Sequence, residues 1–135
     1  MNTTAAKSEY LLLLRNTEIE KRLSFDEMQV AMSRFSEWLD RWKAAGAIKA
    51  GQPLAGAGKT LSGSKSRTVA DGPFPESKEA VGGYILLEVG SLDEAMKIAG
   101  EWPLLDYEAF VEVRPVLDQC IPMTMIEQQA AMVGA

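Results

Sequence analysis

Two short strings govern what this chain can fold into: Ser24-Phe25-Asp26-Glu27 and Ser91-Leu92-Asp93-Glu94. Each is a capping box, S-x-x-E, in which the serine and the glutamate satisfy amide donors that a helix start leaves open. After the first, Met28, Met32, Phe35, Leu39 and Trp42 recur at three- and four-residue steps, with Trp38 beside them. That spacing predicts a helix over residues 24–45, with Gly46 at the position after its end. After the second box a shorter helix is predicted over residues 91–102, stopped by Pro103, whose ring nitrogen carries no donor.

Apolar segments flank both helices. Residues 10–15 read as a buried strand and residues 47–54 as a weaker one. Residues 67–70 suggest a short strand, Val81–Val89 a strong one and residues 109–116 the last. Residues 55–66, rich in Gly, Ser and Lys, read as a mobile loop. The order amounts to two β-α-β halves. It predicts an α+β fold, a ferredoxin-like β-α-β-β-α-β sandwich whose antiparallel sheet carries both helices on one face.

The other face of such a sheet needs a cover, and alternation tells what lies on it. In the last strand Val111 and Val113 point to the helices, while Phe110, Glu112, Arg114 and Val116 point away. In the strand before it Ile85, Leu87 and Val89 form one side and Tyr84, Leu86 and Glu88 the other. The helix-free face is therefore apolar with embedded charges, a surface suited to a dimer contact that also encloses a pocket.

Composition removes several functions. The chain has 135 residues, enough for one domain, and a net charge of −5 with no basic block. Direct binding to nucleic acid or to an anionic membrane is not expected. It has no histidine and one cysteine, Cys120. The commonest general base and the commonest zinc ligands are thus missing, an internal disulfide is impossible, and neither a metal nor a cofactor is expected. The N-terminal residues lack a signal-peptide core, and a cytoplasmic protein is the expectation. Any chemistry must run on carboxylates, Lys, Arg, Tyr, Ser or Thr. Residues 55–60, AGAGKT, end like a phosphate loop, but the first glycine of that pattern falls on Pro53 and no amphipathic helix is predicted after it, so a solvated loop is the reading.

Asp71-Gly72-Pro73-Phe74, Glu76, Lys78-Glu79, Gly82-Gly83-Tyr84 and Glu112-Val113-Arg114-Pro115 occur in that order. The set resembles the DGPF family, also called YCII-related proteins, over roughly residues 8–116. The resemblance implies a single domain over residues 1–118 followed by a tail, residues 119–135, with a ferredoxin-like subunit that pairs into a dimeric α/β barrel. Related proteins carry a His and an Asp proposed as an active-site pair. This chain has no histidine, and Gly100-Glu101-Trp102 precedes Pro103, so that pair does not carry over. The family is also similar to domains found beside sigma factors of the extracytoplasmic-function type.

Asp71, Lys78, Tyr84, Glu112, Arg114 and Arg15 are the candidate ligand-binding residues. Gly72, Pro73 and Phe74 read as a stiff corner, with glycine bending and proline fixing the chain. Gly82 and Gly83, paired at a strand start, suggest a bulge or a close backbone approach. Lys78 is expected to pair with Glu112 or Asp71. Two functions stay open. One is a homodimeric small-molecule-binding barrel of unknown substrate, with or without catalysis by a carboxylate whose pKa burial raises. The other is a non-catalytic regulatory or protein-interaction module with a transcription-factor partner. The methionine-rich tail is read as a short helix packed on a partner or as a frayed end.

Overall fold

Both capping serines start helices, by different bonds. Ser24 Oγ accepts from the Glu27 amide at 3.2 Å, and the Glu27 carboxylate accepts from the Ser24 amide at 2.8 Å. The second box is only half formed. Ser91 Oγ accepts from the Glu94 amide at 3.2 Å, but the Glu94 carboxylate takes the amide of Gly90 at 3.0 Å.

The computed structural model describes residues 6–63, 65–72 and 80–133. Its strands are β1 (Ser8–Arg15), β2 (Ile48–Pro53), β3 (Lys59–Ser62), β4 (Thr68–Asp71), β5 (Val81–Val89) and β6 (Phe110–Pro115). The helices are α1 (Phe25–Ala44), α2 (Leu92–Gly100) and α3 (Ile121–Val133), with a short 3-10 turn at Ile19–Lys21 and another at Pro103–Tyr107. The main sheet runs β2-β5-β1-β6 with every pair antiparallel, and β3 and β4 form a separate two-stranded sheet. The two β-α-β halves and this strand order are those of a ferredoxin-like fold.

Chain ends of the helices follow their hydrogen bonds. Gly46 adopts φ +78°, its amide donates to the Lys43 carbonyl at 3.0 Å, and the Ala47 amide donates to the Trp42 carbonyl at 2.9 Å. This pair of bonds is the Schellman end of α1, and the positive φ requires glycine. The second helix stops short of residue 102. The Glu101 and Trp102 amides donate to Ile98 and Ala99 at 3.1 Å, tightening the last turn to 3-10 geometry before Pro103.

The core lies between α1, α2 and one sheet face. Tyr10, Leu12, Leu14, Ile85, Leu87 and Val89 meet Ala31, Trp38, Ala95, Ile98 and Ala99 there. Leu12 and Leu87 are fully buried, each worth about 1.5–3 kcal/mol. The most deeply buried line of α1 is Ala31 and Trp38, and Met28, Phe35, Leu39 and Trp42 of the predicted stripe pack half-buried beside it, while Met32 is exposed. Ala31 lets the helix approach closely, and Trp38 is held by its indole N–H, which donates to the Ile98 carbonyl at 3.0 Å. Met32 and Leu39 are thereby turned towards the sheet's β2 edge. The indole N–H groups of Trp42 and Trp102 are buried with no acceptor among the described residues, at a cost of about 1–3 kcal/mol each.

The stretch expected to be a loop contains β3. Its four residues and the four of β4 are all exposed, so backbone pairing rather than apolar burial holds this hairpin. A strand at Lys59–Ser62 also excludes the helix that a phosphate loop needs. Helix α3 buries none of its own residues, and Ile121, Met125, Ile126 and Met132 are exposed along it. Among the described residues no helix is long and apolar enough to cross a membrane.

Candidate functional site

Strand alternation sorts the open face as expected from β5 and β6 and adds β1 to it. Inward burial alternates along β1, leaving Glu9, Leu11, Leu13 and Arg15 half-buried on the side without helices. Register then aligns the rows. Leu86, Leu11 and Arg114 lie side by side, as do Tyr84, Leu13 and Glu112. At one end of this apolar centre, Arg15 Nη2 donates to Glu112 Oε1 at 2.9 Å and Arg114 Nε donates to Glu112 Oε2. One carboxylate sits between two guanidiniums.

This arrangement decides the state of Glu112. The hydrogen bond from Arg114, then that from Arg15, holds its carboxyl below the usual value of 4.5. Burial raises a carboxylate's pKa, but here the charged donors win. A carboxylate raised towards neutrality, the chemistry expected of a histidine-free acid/base site, is not what Glu112 offers. The triad offers instead an ionised carboxylate held by two charged donors.

At the opposite end Glu9 and Glu88 face each other across β1 and β5. Like charges opposed in this way repel. Lys49 offsets them, at 2.7 Å from Glu9 and 3.4 Å from Glu88. Glu9 first and Glu88 second raise the Lys49 pKa above its ordinary value. Sequence reasoning missed this cluster. Alternation had put Glu88 on this face, but the bulge between Ile48 and Ala50 that presents Lys49 has no sequence marker.

The other candidates fall elsewhere. Tyr84 lies on the open face two strands from Glu112, about 10 Å away across the sheet. Asp71 sits in the exposed hairpin and accepts from Lys59 Nζ at 2.7 Å, and Gly72, at φ +134°, donates its amide to the Gly58 carbonyl at 3.0 Å. Pro73, Phe74 and Lys78 lie outside the described residues, and so does the expected pairing of Lys78. Gly82 has no Cα partner in β1, because the register shifts between Leu14 and Arg15. A Cβ on it would come within 1.9 Å of Thr17 Oγ1, so a larger residue at this bulge requires the Thr17 side chain to move.

A cleft of about 780 Å³ opens on the helix side, between α1 and the β2–β5 edge. Backbone around Gly82 to Ile85 forms part of its wall, but Asp71, Glu112 and Arg114 do not. The concavity and the triad are therefore on opposite faces of the sheet.

Set against known proteins, residues 9–119 match the model of the YCII-related domain. No curated protein matches the chain.

Proposed function

The chain belongs to the YCII-related domain family, and from that premise we propose that two copies pair through their helix-free sheet faces into a dimeric α/β barrel that binds a small anionic molecule. One observation carries the proposal: a sheet face that no helix covers among the described residues has an apolar centre of Leu11, Leu13, Tyr84 and Leu86 and, at its end, a carboxylate clasped by Arg15 and Arg114. Apolar residues on both sides of β1 are the mark of a strand covered twice. A second copy supplies that cover, and the Arg15–Glu112–Arg114 triad then lies at the edge of the enclosed space. The compartment proposed with this reading is the cytoplasm, where a lone thiol at Cys120 stays reduced.

Light scattering tests the pairing. At low micromolar concentration the mass should be twice 14.7 kDa; a particle of single-chain mass overturns it. The anion is tested with malonate and succinate by thermal unfolding. Both should raise the wild-type midpoint, and Arg114→Ala should abolish the rise.

A second reading, a protein-interaction module acting with a transcription factor, draws on α3. Its exposed Ile121, Met125, Ile126 and Met132 make an adaptable apolar surface of the kind partners use. Recovery of the bare homodimer alone from the native host would count against that reading.

A further inference from the structure

We infer that the cleft beneath α1 is a second ligand site, distinct from the open face, that takes an amphipathic monocarboxylate. The recess has a structural origin. On the helix side of the sheet, Gly51 pairs with Ile85 and Gly83 pairs with Pro53. Two neighbouring positions that should project side chains towards α1 project none. Backbone crowds both positions: a Cβ on Gly51 would lie 2.9 Å from the Tyr84 carbonyl oxygen, too close without a shift, and one on Gly83 would lie a tight 3.1 Å from that of Gln52. The rotation of α1 onto Ala31 and Trp38 completes the gap, since it directs the Met32 and Leu39 side over these glycines.

The chemistry of the walls selects the ligand. Met32, Phe35, Leu39, Ile48, Ile85 and Trp102 give an apolar interior, and about 780 Å³ is within the usual range for small-molecule sites. No Asp or Glu lines the cleft among the described residues. Its two cations differ in kind. Lys49 is committed to Glu9 and Glu88 on the far face. Lys43, exposed in the last turn of α1, has no ion pair or hydrogen-bonding partner for its ammonium among the described residues. An apolar body inside and a carboxylate at Lys43 match this pattern, and an apolar cation or a dianion with no apolar part does not.

The probes are octanoate and octan-1-ol, which share a chain and differ in charge. Titration calorimetry on the full chain should give one octanoate per chain, bound about two- to fivefold more tightly than the alcohol at low salt, the range for one exposed charge pair. Lys43→Met should erase that preference while leaving alcohol binding intact. Met32→Trp, which fills the cleft from its exposed rim, should weaken both ligands. Arg114→Ala, on the opposite face, should change neither. The inference is overturned by no binding of either probe, by equal affinities in the wild type, by a preference that survives Lys43→Met, or by one that Arg114→Ala removes. That last result would place the carboxylate in the open-face triad, so the two sites stand or fall separately.

Discussion

The two faces of the sheet carry similar apolar residues and meet different fates. On one, Leu12, Leu87 and Ile85 are sealed under α1 and α2, and the core among the described residues contains no buried charged or polar side chain. On the other, Leu11, Leu13 and Leu86 stay half-exposed, framed by Lys49 with two glutamates at one end and by Arg15, Glu112 and Arg114 at the other. An apolar centre within a charged border fits the pairing proposed above better than it fits a core. A core excludes charge because unpaired burial is costly. A face that forms a surface before it meets a partner needs charge at its margins for solubility and register.

The sharpest test sets neighbouring leucines against each other. Leu12→Ala should cost about 2–5 kcal/mol in urea unfolding, at every protein concentration, because it empties a fully buried site. Leu13→Ala should cost less in dilute protein and more in concentrated protein, since in the proposed dimer its partner surface arrives with the second chain. Equal, concentration-independent losses would erase the distinction between the faces. Next in size, Leu86→Glu places a charge opposite Leu11 at the middle of the open face. It should raise the dissociation constant of the proposed dimer at least about tenfold in analytical ultracentrifugation while far-UV circular dichroism stays unchanged. Unfolding of this variant would mean that the face belongs to the core after all.

Much of this was legible in the residues, and the failures share a cause. Capping boxes and Gly46 act within a few positions, so the limits of α1 could be read locally. Alternation placed Glu112 and Arg114 on the open face because it needs only one strand. The β3–β4 hairpin escaped because neither strand buries a face, so no hydrophobic period marks it. The stripe of α1 does pack on the core, but Ala31, its closest approach, went unread because a small residue leaves no mark among large ones. The clasp of Arg15 on Glu112 required knowing that β1 lies beside β6. The cleft was least legible, being made of side chains missing from two strands in one register.

The smallest expected effect concerns the charged margin itself. Glu112 has its folded-state pKa depressed by Arg114 and Arg15, against an ordinary value of 4.5. A carboxyl depressed on folding adds stability that is fully present above its unfolded pKa and is lost as pH falls through the folded one. Glu112→Gln should therefore destabilise the protein slightly near neutral pH. The gap from wild type should close as pH drops below 4.5. Because the triad is open to solvent, added salt should also shrink the gap. Urea midpoints of the two proteins across that pH range measure it. The core face makes the opposite prediction: the loss in Leu12→Ala, which removes only apolar contacts, should not change with pH or salt. Should Glu112→Gln behave like Leu12→Ala, with a penalty insensitive to both, then the open face is already sealed as a core is and the charge of Glu112 is not what holds the triad together.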